Sequence, residues 1–265
     1  MNIFIREMKA HRKSLIIWCF GIFFMVAGGM AKYGAYSGTG QSMKELIDRM
    51  PKALQAIIGS GSFDLSKASG FYGVIFLYLV IMATIHASTL GANIISKEER
   101  DKTSEFLFVK PVSRNKIITS KLLAALANIS ILNIITVISS LALVNYYGKG
   151  ESVTSDILIL MGGMFILQLI FLLIGTGIAA VSKNPKTAAS ISTGILLLTF
   201  ILSMAIDINE KLENLKYITL FKYYDAKDLM LHGGFEPVFV VLSTLIIATL
   251  LSVTYIFFKK RDLNI

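Results

Sequence analysis

The sequence predicts an all-α polytopic membrane protein with six transmembrane helices, and three observations predict it. Apolar residues make up 54% of the chain and charged residues only 16%, a balance far from that of a soluble domain. Six stretches free of Asp, Glu, Lys and Arg (14–31, 68–96, 122–148, 157–182, 187–206 and 237–258) reach the roughly 18 residues that span a hydrocarbon core. The alternating strands of about ten residues that a transmembrane barrel needs are absent. Each apolar stretch must be helical, because an unpaired backbone N–H or C=O in lipid costs several kcal/mol and a helix pairs both internally. With their flanks, the spans are placed at about 14–36, 68–96, 117–148, 155–182, 187–206 and 237–258 of a single domain covering 1–265.

Before the first span, MNIFIREMKAHRK sets Ile3, Phe4, Met8 and Ile5 beside Arg6, Lys9, Arg12 and Lys13. This suits a short amphipathic helix on the inner leaflet. A plain basic flank fits the residues as well. A cleaved secretory leader is the weaker reading, because removing it would leave five spans and set the basic 97–121 loop against the charge rule. Cys19, inside this first helix, is the one cysteine, so neither an intrachain disulfide nor a cysteine metal site exists.

The loop after the first span, about 32–67, spaces Met43, Leu46, Ile47, Met50, Leu54, Ile57 and Ile58 at helical intervals that continue past Pro51. A pair of interfacial helices is expected there, the second opened by Pro51 and ended by Gly59 and Gly61. The next loop, 97–121, reads KEERDKTSEFLFVKPVSRNKIITSK and is dense in both signs of charge. Residues 97–108 read as an amphipathic helix ending in Phe106, Leu107 and Phe108, with Pro111 as its stop and Ser113 as the cap of the third span. A solvated connector whose charges only fix topology is the alternative. Spans four and five are joined by the short SKNPKT turn. The final loop, about 207–236, alternates Tyr217, Phe221, Tyr223 and Tyr224 with Lys216, Lys222 and Lys227. It either dips into the bundle from outside or anchors at the interface through its aromatics.

Orientation follows from the basic residues, which are retained on the cytoplasmic side. The N-terminus, loop 97–121, loop 183–186 and the tail from 259 carry 16 basic residues against six acidic, whereas the opposite side carries ten against eleven. Both termini are therefore expected in the cytoplasm. The net charge of +9 reflects this topology and not a nucleic-acid surface.

Most enzymatic signatures fail. There is no GxxxxGK[ST] loop to cradle ATP phosphates and no HExxH zinc helix. Glu98-Glu99 resembles the EExxxR start of intramembrane proteases, but Thr103 holds the place of the Arg and the partner histidine motifs are missing. Within the spans the polar residues are His86, Asn93, Asn128, Asn133 and Gln168, none a full charge. Ion-coupled carriers typically bury charged groups, so that class is disfavoured, and these side chains are expected to hydrogen-bond between helices.

Taken together, the segments resemble the six-helix permease subunits of type-two ATP-binding-cassette (ABC) transporters, the exporter branch, over nearly the whole length. The most specific piece is loop 97–121, with its acidic pair Glu98 and Glu99, then Thr103, Glu105, Phe106 and Leu107, then Pro111, Ser113 and Arg114, and Lys121 opening the third helix. Lys102 stands where the family commonly has Gly, and Leu220 where Pro is frequent. MPKALQAIIG followed by GFYG, and LKYITLFKYYDA before the sixth helix, agree more weakly.

The resemblance implies that Lys97, Glu98, Glu99, Arg100, Thr103, Glu105, Phe106, Leu107, Pro111, Ser113, Arg114 and Lys121 form or flank a cytoplasmic coupling helix seated in a separate ABC ATPase subunit. It further implies a second permease subunit, identical or related, in a bacterial plasma membrane, with membrane lipids as neighbours and no nucleic-acid partner. No cofactor is expected on this chain, ATP and Mg being held by the ATPase, and no enzymatic activity of its own. Gly162, Gly163, Gly175 and Gly177 are expected to allow close helix approach. The apolar spans point toward lipid-like, peptide or drug-like cargo, with polysaccharide and ion export also within the family's range. The alternative function is a non-transporting membrane sensor or immunity-type protein that docks a cytoplasmic partner.

Overall fold

The structure is a computed structural model that describes residues 2–37, 51, 54–55, 63–101, 112–182 and 184–260. Among these, six helices are long and apolar enough to cross a membrane: α1 (Ile3–Ser37), α2 (Ala68–Arg100), α3 (Arg114–Tyr147), α4 (Thr154–Val181), α5 (Ala188–Ile208) and, after a short α6 (Ala226–His232), α7 (Pro237–Lys260). No strand occurs among the described residues. All six long helices outrun their charge-free stretches, and three of them do so by a full turn or more. α1 begins at Ile3, so the basic N-terminal residues are its first turns and not a separate helix. α2 runs through Lys97, Glu98 and Glu99 to Arg100, which therefore extend the second span and do not open an independent loop helix. α3 starts at Arg114, about two turns before Lys121. The expected helix pair at 43–58 lies almost wholly outside the described residues.

Helices α2 and α4 make the most extensive contact and form the centre of the bundle. Of their most apolar windows, 56% and 61% of residues are buried, against 22%, 22% and 17% for α1, α5 and α7. Two glycines set the central approach. A Cβ on Gly91 would stand 2.1 Å from the Leu172 carbonyl oxygen, and one on Gly175 would stand 2.3 Å from the Ser88 carbonyl oxygen. Any side chain there would have to push the two backbones apart, so close packing of small residues is what joins these helices in a medium as apolar as they are. Of the four glycines singled out in the sequence, Gly175 makes this central contact. Gly162 and Gly163 instead face Phe235, Leu229 and Tyr224, and Gly177 has only ordinary spacing to Thr254 and Leu250.

Around this pair, α1 packs chiefly on α3, α5 on α2, and α7 on α4. Their outward faces carry exposed Ile17, Phe20 and Phe24 on α1, Leu198 and Ile201 on α5, and Val241 and Leu245 on α7.

At the end of the bundle away from the termini, the Tyr72 hydroxyl donates to the Ser140 hydroxyl at 2.6 Å inside the core, and the Tyr33 hydroxyl donates to the Ser66 carbonyl at 3.1 Å. The segment 210–224 folds as two 3-10 turns, Glu210–Tyr217 and Leu220–Tyr224, and its aromatics do more than anchor at an interface. Leu220, Phe221, Tyr223 and Tyr224 are buried, with Phe221 against Phe171 and Phe200, and Tyr224 hydrogen-bonded to Ser243 at 2.9 Å. Lys222 fastens this cap by pairing with Asp207 and, at 2.7 Å, with Asp225. Burial alone would lower the Lys222 pKa, but the two carboxylates outweigh it and hold the ammonium above its ordinary range.

Candidate coupling site at the end carrying both termini

The end that carries both termini also receives the C-terminal turns of α2 and the N-terminal turns of α3, and an ion cluster is buried where they meet. Lys121, 1% exposed, donates from Nζ to both carboxylate oxygens of Glu98 at 2.8 Å, to the Ile94 carbonyl at 2.6 Å and to Glu7 Oε1 at 3.4 Å. Arg6 Nη2 closes the group, reaching Glu98 Oε1 at 2.6 Å and Glu7 Oε1 at 2.7 Å. His11 Nε2 stands 3.9 Å from the second Glu7 oxygen. Two cations therefore face two carboxylates on three helices, which balances the charge. That balance is what makes burial tolerable, since an uncompensated charge in this setting is expensive.

Local sequence explains how the groups arrive. On α1, Glu7 falls on the same helical face as Ile3, Phe4, Met8 and His11, while Lys9, Arg12 and Lys13 point to the exposed side. The apolar members of that face pack against a cluster containing Ile94, Ile95, Ile117 and Ile118. Asn128, one face and two turns along from Lys121, donates to the Met8 sulfur at 3.1 Å and to the Ala124 carbonyl at 2.8 Å. Ser113 caps α3 by accepting from the Lys116 N–H at 3.4 Å. Arg114 donates to the Lys259 carbonyl at 2.6 Å, and Thr119 and Tyr255 share a hydrogen bond of 2.8 Å, so α7 is tied to the same end.

The residues singled out in the sequence therefore separate into three groups. Glu98 and Lys121 are brought together and buried, which removes both from any surface a partner can touch. Lys97 and Glu99 are half-buried and Arg100 is exposed on the last turns of α2, where Arg100 donates to Asn93 Oδ1 at 2.8 Å and pairs with Asp101 at 3.3 Å. Ser113 and Arg114 lie at the opening of α3. Thr103, Glu105, Phe106, Leu107 and Pro111 lie outside the described residues. Sequence reasoning missed Glu7 and Arg6 as members of the site. The signal was present in Glu7, the one carboxylate on a helix face otherwise made of Ile3, Phe4, Met8 and His11, which calls for a buried cation.

Asn128 and the Asn133–Gln168 pair bond between helices, as expected of polar groups in lipid, whereas Asn93 accepts from Arg100 of its own helix. Asn133 donates to Gln168 Oε1 at 3.2 Å and to the Met161 carbonyl at 3.3 Å. His86 is buried with its ring centroid 5.5 Å from that of Trp18.

A family model described as ABC-2 family transporter protein matches residues 1–263 of the chain. A search of curated proteins finds no match to it.

Proposed function

The chain belongs to the ABC-2 family of transporter proteins and is a permease component of an ABC transporter, and we propose that it is the membrane subunit of an exporter driven by a separate ATPase. The family match over 1–263 carries this reading. Loop 97–121 faces the cytoplasm, as its basic residues indicate, and its segment 101–113 seats in the ATPase. ATP and Mg are held by that partner, because this sequence has no phosphate-cradling loop. Closure of two ATPase subunits pushes on the coupling segments of two permeases, and the spans rock as bodies to open a path between them. The exposed apolar faces of α1, α5 and α7 support this assembly, since each must meet lipid or a second permease.

Copurification tests the reading. The permease alone is expected to hydrolyse no ATP, and copurification with an ABC ATPase encoded beside it restores hydrolysis. Hydrolysis by rigorously purified permease at a transporter-like rate would overturn the assignment. A sensor or immunity-type protein would instead copurify with a partner lacking ATPase activity.

A further inference from the structure

The ion cluster joins the two arms of segment 101–113 to a third element that the loop sequence does not contain. Glu98 sits two residues from the end of α2, Lys121 two turns into α3, and Arg6 and Glu7 on the first turns of α1. A single ammonium, Lys121 Nζ, touches all three helices, bonding Glu98 and the Ile94 carbonyl on α2 and Glu7 on α1. The group carries no net charge, Glu7 and Lys121 are each 1% exposed and Glu98 is 7% exposed. Withdrawing α2 or α3 would strand Glu98 or Lys121 without its counter-charge, and withdrawing α1 would break the Arg6–Glu98 bond at 2.6 Å and the Lys121–Glu7 contact at 3.4 Å, taking one of two opposite charges from each of Glu98 and Lys121. Moving all three helix ends together breaks no ion pair. Among the described residues no other element covers the far side of α1, where Ile17, Phe20 and Phe24 are 70%, 59% and 65% exposed. No described element therefore opposes its displacement there.

We propose that Lys121 and Glu7 are positioning residues that pin the first turns of α1 to the ends of α2 and α3, so that all three move as one rigid body and the segment that docks the ATPase also drives α1. This rests on the reading of the chain as an ATPase-coupled permease. The opposite device, a cluster that opens and closes during the cycle, uses the same residues and makes the opposite distance prediction.

The test measures distances by pulsed electron resonance in the complete permease–ATPase complex, with a Cys19→Ser background and unlabelled permease in excess so that only distances within one subunit are read. Spin labels on Lys9→Cys and Asn115→Cys, both exposed positions on the two sides of the cluster, report on its integrity. Labels on Lys9→Cys and Ser252→Cys, the latter on the exposed side of α7, report on movement of α1 against the rest of the bundle. Between the nucleotide-free and ATP-trapped states, the 9–115 distance should hold to within about 2 Å while the 9–252 distance changes by more than that. In Lys121→Met/Glu7→Gln, which stays electrically balanced through Arg6 and Glu98, the 9–115 distance becomes state-dependent and the 9–252 change is lost, although the complex still assembles. A wild-type 9–115 change of about 5 Å, one helical turn, would show that the cluster opens and would overturn the proposal. So would a 9–252 distance that does not respond to ATP in a complex that hydrolyses it, or a double variant that behaves as wild type. Failure of any ATPase to assemble with the chain is a different result and tells against the functional reading itself.

Discussion

Replacing Lys121 by Met probes the buried cluster most sharply. The substitution keeps an unbranched apolar stem of similar shape and removes only the ammonium, which bonds Glu98 at 2.8 Å, the Ile94 carbonyl at 2.6 Å and Glu7 at 3.4 Å. Two carboxylates then share one guanidinium, that of Arg6, whose side chain is 29% exposed and shielded by water. Stripping one partner from a buried ion pair costs about 3–5 kcal/mol. For a chain of this size each kcal/mol lowers the melting temperature by about 2–4 °C, so the loss is about 6–20 °C. Thermal unfolding in mild detergent, followed by fluorescence-detected size exclusion, reads it. Adding Glu7→Gln restores the charge balance and recovers at least half of the loss, a coupling within the range of about 0.5–3 kcal/mol found for residues of one network. A Lys121→Met protein within about 1 kcal/mol of wild type would refute the reasoning, because buried carboxylates cannot lose their main cation so cheaply. Equal melting temperatures for the single and double variants would refute it as well.

Two further predictions concern the centre of the bundle and its orientation. Gly91→Val places a side chain where even a Cβ would be 2.1 Å from the Leu172 carbonyl oxygen, so it destabilises by at least the roughly 1–3 kcal/mol of core overpacking; Gly177→Ala, at ordinary spacing, stays within about 0.5 kcal/mol, and a thermal shift comparing the two decides. In a Cys19→Ser background, cysteines at Ser62 and Glu213 are expected to react with an impermeant maleimide in intact cells while one at Lys102 does not. Labelling at Lys102 from outside would reverse the topology.

The six spans were legible because a bilayer demands long charge-free runs, and these stand out in any sequence of this composition. The same criterion hid the site. Cutting the second stretch at its first charged residue made Lys97 a boundary, whereas α2 continues to Arg100; Ser113 does cap α3 as the sequence indicated, but Lys121 was read with the coupling loop and not with the buried bundle. Helices extend past their apolar stretches when the charges at their ends can be neutralised by one another. Whether they are depends on which three helix ends meet, a tertiary fact that hydropathy does not carry. Glu98 was read as half of an acidic pair facing a partner, but it turns inward while Glu99, its neighbour 100° around the helix, does not. Gly91 was likewise invisible, because a single glycine in an apolar run acquires meaning only from the backbone opposite it. In the final loop, the aromatic run announced contact with something apolar, and the structure shows that Phe221, Tyr223 and Tyr224 find it in the bundle itself.

The measurement that tests the account most directly is copurification of the ATPase with a Phe106→Ala permease at matched expression, together with the ATPase activity of the complex. If segment 101–113 docks the ATPase, truncating this aromatic removes an anchor that commonly contributes about 2 kcal/mol or more at an interface, and assembly weakens at least about tenfold. Glu99→Lys, beside the segment and not part of the buried cluster, slows association or uncouples hydrolysis in the same complex while leaving membrane insertion intact. Wild-type yield and wild-type activity for both variants would contradict the account, because substitutions on a merely solvated connector change little, within about 0.5 kcal/mol.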